Sequence, residues 1–87
     1  MDVFELMGLR GTRKILLELK EKGSVKYSDL VKVVGFSTTT TRALKHMEKL
    51  GLIEKRVLTE PYRPVVYYLT EKGKKLTEII EQLQELQ

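Results

Sequence analysis

Residues 37–53 read STTTTRALKHMEKLGLI, and this stretch decides the fold. Ser37 stands where a helix N-cap is expected, and Gly51 is a usual C-terminal stop. Between them, apolar or small residues recur at the spacing of one helix face, and these are Thr40, Ala43, Leu44, Met47 and Leu50. The stretch therefore predicts a helix over about 37–50 with one face turned into a core.

The other face of this helix carries hydroxyls and cations, on Thr38, Thr39, Thr41, Arg42, Lys45 and Lys49. Such groups bond phosphate oxygens and the base edges of the major groove, and Arg42 can bond a guanine through two N–H groups. Successive threonines are poor helix formers, and a local rule broken in this way often marks a functional site. The alternative is a capping cluster of solvated hydroxyls.

Three more segments before residue 37 have regular patterns. Residues 3–7 form a short helical lead-in after a possible Asp2 cap, and residues 12–22 carry a helical apolar face. Residues 24–27 predict a short strand, followed by a second helix that Ser28 caps and Gly35 ends. Two helices separated by so few residues are a helix-turn-helix candidate.

After residue 52 the pattern changes to that of a β-hairpin. Residues 53–58 and 65–70 are rich in β-branched and aromatic residues and predict two strands. The linker 59–64 contains two prolines, which prevent regular ladder bonding and predict a projecting tip. Arg63 lies at this tip, where a guanidinium can enter a minor groove or grip phosphates, with an ordinary solvated arginine as the alternative. We expect Tyr62 to pack against the hairpin.

A final amphipathic helix is predicted over residues 70–87, with Thr70 as its cap. Its apolar stripe consists of Leu76, Ile79, Ile80, Leu83 and Leu86. The stripe is wide enough for more than one packing partner, so we expect its distal half to pair with the same helix of a second chain. Packing onto residues 12–22 of the same chain is the alternative.

Length and composition limit the classes of protein. The 87 residues suit one domain, and 41% hydrophobic with 32% charged residues is typical of folded proteins. The net charge of +4 favours a polyanionic partner, and residues 76–87 hold three glutamates and no cation. Asn and Cys are absent whereas Lys and Glu abound, a bias of hyperthermophile proteins, so we expect a thermophilic, archaeal source.

Several functions are not expected. With no Cys and one His, the chain offers no thiolate site, no His-pair metal site and no His-based triad, so we expect neither enzyme activity nor a metal or cofactor. His46 is expected on a helix flank without a functional role. No apolar run is long enough for a membrane span and no signal peptide is evident, so we expect a cytoplasmic protein without a membrane partner.

The run 37–53 resembles the recognition helix of winged helix-turn-helix transcription regulators. Residues 64–73, PVVYYLTEKG, resemble the second wing strand and final-helix start of the MarR, ArsR and HxlR types. The resemblance covers roughly 12–76 and implies an α+β fold with a three-helix core, a two-stranded wing hairpin and a C-terminal amphipathic helix. HxlR-type proteins usually carry an N-terminal cysteine, which this chain lacks, so no thiol sensing is implied.

The expected function is regulation of transcription by sequence-specific binding to double-stranded DNA. Residues 1–87 would form one DNA-binding domain, with helix 37–50 in the major groove, wing 59–64 on the minor groove or backbone, and 71–87 used for homodimerisation. The expected DNA contacts are Ser37, Thr38, Thr39, Thr41, Arg42, Lys45 and Arg63. A protein-interaction module of a transcription complex and a non-specific architectural DNA-binding protein are the alternatives. The sequence does not identify a small-molecule effector; at this length, any effector would have to bind at the dimer interface.

Overall fold

Within residues 1–59 and 61–87, which the computed structural model describes, five helices and three short strands follow one another in the predicted order. They are α1 (Val3–Met7), α2 (Thr12–Lys22), β1 (Ser24–Lys26), α3 (Tyr27–Val34), α4 (Ser37–Lys49), β2 (Ile53–Val57), β3 (Val65–Leu69) and α5 (Glu71–Gln84). The predicted α+β class, with its helical core, wing hairpin and C-terminal helix, is confirmed.

The three strands form one antiparallel sheet in the order β1-β3-β2. β2 and β3 are the wing hairpin, and β1 adds a third strand on the far side of β3, with Val25 opposite Tyr67. The Leu58 N–H donates to the carbonyl of Pro64 over 3.0 Å and so closes the base of the wing linker. Glu60, within the predicted wing 59–64, lies outside the described residues.

The core lies where the helices meet one face of the sheet. Every helix and all three strands bury side chains there, and the largest fully buried apolar ones are Leu6, Ile15, Leu16, Leu19, Leu30, Leu44, Met47, Leu52 and Ile53. Two buried threonines donate to backbone carbonyls one helical turn earlier, Thr40 to Phe36 and Thr77 to Gly73, each over 2.7 Å. Their hydroxyls are therefore satisfied inside the core.

Two of the four predicted N-caps are wrong, Ser28 by two residues and Ser37 by one. α3 begins at Tyr27 rather than after Ser28, because Lys26 still pairs with Val66 in the sheet and the chain turns directly out of β1. α4 begins at Ser37, with the extended Phe36 at the N-cap position. The predicted caps of Asp2 and Thr70 are confirmed.

The start of α4 has an identifiable cause in the hydrogen bonds of its first turn. The carbonyl of Phe36 accepts from the Thr40 backbone N–H over 3.1 Å as well as from the Thr40 hydroxyl. The first intrahelical bond therefore begins at Phe36, and Ser37 lies inside the helix instead of capping it.

Candidate nucleic-acid interface

α4 has one buried face and one exposed face, as its sequence predicts. Its buried face consists of Thr40, Ala43, Leu44 and Met47, as predicted, whereas Leu50 is half-buried after the helix ends. On the opposite face, Ser37, Thr38, Thr41, Arg42 and Lys45 are exposed, and Thr39 is half-buried. The threonine run is thus split by the helix: Thr40 belongs to the core, and its neighbours remain available to a partner.

A groove of ≈ 500 Å³ lies along one flank of α4. Tyr27, the first residue of α3, forms part of its wall, and the hydroxyls of Tyr27 and Thr41 are hydrogen-bonded over 2.7 Å. The other lining residues are Ser37, Thr38, Thr41, Arg42, Lys45, His46 and Lys49. The groove therefore brings together five of the seven residues predicted to contact DNA and adds Tyr27, which sequence reasoning missed.

A second groove of ≈ 250 Å³ lies on the other flank of α4, where the turn before α2 approaches it. Leu9, Arg10, Thr38, Thr39, Arg42 and Ala43 line it. Arg42 belongs to both grooves and so lies on the crest of the helix between them. Arg10 was not predicted, because nothing in its sequence neighbourhood shows that the turn reaches α4.

Tyr27 also links α4 to the wing. It lines a third groove, of ≈ 310 Å³, between the start of α3 and the hairpin, together with Lys26, Ser28, Lys55, Pro64, Val65 and Tyr67. The two lysines on its wall are exposed. A continuous surface with exposed cations therefore runs from α4 through Tyr27 to the base of the wing.

Arg63 lies at the wing tip, apart from the α4 grooves, and is exposed as predicted. Tyr62 does not pack against the hairpin as expected but is 100% exposed. Both residues have positive φ, 73° for Tyr62 and 42° for Arg63. Successive residues with positive φ are typical of turns, and this pair lies between the two prolines of the tip.

The outer face of the hairpin holds its own polar cluster. The hydroxyl of Tyr68 donates to a Glu54 carboxylate oxygen over 2.6 Å, and the Arg56 guanidinium lies 5.4 Å from the centre of the Tyr68 ring. The hydrogen bond to Glu54 is the main cause that raises the pKa of Tyr68. This hydrogen bond joins the two wing strands on their outer face.

The part of the chain that the structure describes has neither a metal-binding group of side chains nor a membrane-spanning helix. No group of three His, Cys, Asp or Glu side chains there has an arrangement that would hold a metal ion. None of the described helices combines the length and apolar character needed to cross a membrane. His46 is half-buried on the flank of α4, where it was expected.

Comparisons with known proteins agree with this geometry. The profile of the HxlR-like helix-turn-helix family matches residues 6–87. A protein described as the uncharacterized HTH-type transcriptional regulator YfiV, from Bacillus subtilis (strain 168), is 38% identical over 64 residues, which are 72% of this chain and 40% of that protein. The chain thus spans less than half the length of this curated relative.

Solved structures show the same fold. The reduced form of the transcriptional regulator YodB from B. subtilis is 27% identical, with a TM-score of 0.81 over 94% of this chain and 81% of that one. A putative transcriptional regulator, ytfH from Salmonella typhimurium, has a TM-score of 0.83 at 22% identity over 97% and 76% of the two chains, which shows the fold alone. These relatives are bacterial, and an archaeal or thermophilic source stays a prediction. The resemblance to winged helix-turn-helix regulators is confirmed, and the chain belongs to the HxlR-like helix-turn-helix family.

Proposed function

We propose that this chain is a transcription regulator that binds double-stranded DNA at specific sequences. The observation that carries the proposal is the exposed face of α4, on which hydroxyls and cations surround Arg42 with a groove on each flank. A helix of this kind fits the major groove, where its N-terminal residues meet base edges. The description of YfiV and YodB as transcriptional regulators supports the proposal.

Different side chains of α4 contact different parts of the DNA in this proposal. Arg42, on the crest, has the donors to bond a guanine through two N–H groups, and the exposed threonines supply hydroxyls for base edges and methyls for thymine. Lys45, nearer the C-terminal end, is placed for phosphates. The hydrogen bond between the Tyr27 and Thr41 hydroxyls restrains the Thr41 rotamer, so less entropy is lost when Thr41 meets DNA. Arg63 on the wing reaches the minor groove or backbone beside the same site.

The proposed regulator is a homodimer that pairs through α5. Of the five residues predicted for this role, Ile80 is 3% exposed in the chain's own core and Leu76 is half-buried against it. Ile79, Leu83 and Leu86 remain 48%, 57% and 82% exposed. Phe4 of α1 is exposed as well. We call Ile79, Leu83 and Leu86, which follow one stripe of α5 at helical spacing, the apolar end surface; an exposed apolar stripe of this kind is typical of a protein–protein contact.

A two-fold dimer would place two copies of α4 about one DNA turn, roughly 34 Å, apart, and would predict a pseudo-palindromic operator. We expect the protein to be cytoplasmic and without enzymatic activity. The descriptions of the relatives as transcriptional regulators support both expectations.

A fluorescence-anisotropy titration tests the proposal. The full chain is titrated against a duplex from the promoter of its own gene and against a scrambled duplex of equal length, at two salt concentrations. We expect binding to the promoter to be tighter by about 100-fold or more. Equal, salt-sensitive binding to both duplexes would instead indicate an architectural protein, and binding to neither at low salt would indicate a protein-interaction module.

Replacing Arg42 with alanine should weaken promoter binding by about 5- to 150-fold per protomer, since a bidentate arginine–guanine pair discriminates by about 1–3 kcal/mol. Binding to the scrambled duplex should fall much less. The same titrations measure both, with Lys75→Ala as the control because Lys75 is an exposed cation on α5. An equal loss on both duplexes would mean that Arg42 contacts only phosphates.

A further inference from the structure

Three cations lie close together beside the first turn of α2. Arg10 precedes this helix, Arg13 and Lys14 belong to its first turn, and all three side chains are exposed. They line a groove of ≈ 560 Å³ whose other walls are Met7, Leu9, Gly11, Val34 and Phe36. The proposed reading of DNA by α4 and the wing does not use this cluster.

The cluster is unfavourable for the helix that carries it. The N-terminal end of a helix is the positive end of its dipole, which disfavours cations in the first turn. The first turn of α2 holds no acidic residue, and its N-cap, Gly11, has no side chain to accept from the free N–H groups. Within residues 1–59 and 61–87, the four ion pairs all involve other side chains. An anion from outside the chain would therefore offset the charge of the three cations and would also stabilise the positive N-terminal end of α2.

The position of Arg10 indicates which anion this is. Arg10 lines the second groove of α4 as well, where it faces Thr38, Thr39 and Arg42. α4 is thus flanked by Arg10 on one side and by Tyr27, next to Lys26, on the other. A helix in the major groove has a phosphate strand along each flank, so the two flanks would face the two strands of one duplex.

We infer that Arg10, with Arg13 beside it, binds phosphates of the DNA strand that runs along the α2 side of α4. This inference rests on the proposed function and adds a second backbone contact to it, opposite the Tyr27 flank. Because phosphate contacts carry no sequence information, Arg10 fixes the register of α4 in the groove and strengthens binding to every sequence alike. Lys14 extends the same positive surface.

Salt dependence of the Arg10→Gln variant tests the inference. Each phosphate contact contributes about 0.9 to the slope of log K against log salt, so the slope should become shallower by about 0.9 per bound protomer. At 100 mM salt this corresponds to about eightfold weaker binding per bound protomer, and the promoter and scrambled duplexes should lose the same factor. The double variant Arg10→Gln, Arg13→Gln should change the slope by about twice as much.

The control is Lys75→Gln, which removes one exposed cation on α5 and should leave the slope unchanged. If wild-type chain binds DNA and Arg10→Gln keeps the wild-type slope, the inference is overturned and the proposed function stands. A loss confined to the promoter duplex also overturns it, because Arg10 would then contact a base. Wild-type chain that binds neither duplex overturns the proposed function itself. Far-UV circular dichroism should show that every variant is folded.

Discussion

Replacing Gly73 with alanine is expected to destabilise the fold by about 3 kcal/mol, the upper range for overpacking a tight site. A Cβ at Gly73 would lie 2.0 Å from the carbonyl oxygen of Leu52 and 3.1 Å from a methyl of Leu69. The oxygen is backbone and is itself bonded to the Thr70 N–H over 3.0 Å, so it cannot swing aside alone. Either α5 or the start of β2 must move.

The contact between Gly73 and Leu52 lies at a junction that the fold needs. The Thr70 hydroxyl accepts from the Gly73 N–H over 3.1 Å and donates to the carbonyl of Gly51 over 2.5 Å, so one junction joins the end of α4, β2 and α5. At roughly 4–8 °C per kcal/mol for a domain of this size, the melting temperature should fall by about 12–24 °C. Thermal and urea unfolding followed by circular dichroism measure the change.

Gly35→Ala is the control for this prediction. Gly35 has a left-handed backbone, with φ of 100°, but a Cβ there meets no atom within 4 Å. Its alanine variant should lose only about 1–2 kcal/mol, from left-handed strain. A Gly73→Ala variant no less stable than Gly35→Ala would show that α5 does not pack on Leu52 as the structure has it.

Most of the fold follows from patterns that are local in sequence. The spacing of Thr40, Ala43, Leu44 and Met47 predicts both the extent of α4 and its buried face, because the helical period alone determines which residues share a side. The strands of the wing are predicted almost to the residue, because their β-branched and aromatic residues form two runs on either side of the prolines. The caps at Ser28 and Ser37 are misplaced, because the sequence pattern does not distinguish a serine at the cap from one inside the first turn.

The interface is only partly predictable, because its flanks come from other parts of the chain. The exposed residues of α4 can be predicted from the helical period of its apolar residues. Tyr27 and Arg10 reach α4 only through the turns after β1 and before α2, and those positions are set by the packing of the whole core. The one sequence feature that pointed to Arg10 is that it is a cation in the short segment between Gly8 and Gly11. The full exposure of Tyr62 depends on two positive φ angles, which a tyrosine and an arginine rarely adopt.

The apolar end surface yields the prediction with the largest effect on DNA binding. Replacing Leu83 with glutamate should convert the proposed dimer to a monomer, because a charge would lie within an apolar contact between two chains. Leu83 is more than half exposed, so the substitution should leave the fold of each chain intact. Its neighbours on α5 that hold the helix to α2 are different residues: Thr77 and Ile80 are buried, and Glu81 pairs with Lys20.

Loss of the dimer should weaken promoter binding by about 10²- to 10⁴-fold, since the second half-site is otherwise bound at a high effective concentration. Sedimentation equilibrium at micromolar concentration gives the oligomeric state, and the anisotropy titration gives the affinity. Gln82→Glu is the matched control: it places the same charge at the adjacent exposed position of α5, outside the apolar end surface, and should leave both measurements near the wild type.

The two readouts separate the possible results. A wild-type chain that sediments only as a monomer would remove the dimer, and the half-sites of the operator would then have to be bound independently. A Leu83→Glu variant that remains a dimer would place the interface elsewhere on the chain. A monomeric variant that keeps wild-type affinity would show that one copy of α4 and its wing suffice for binding.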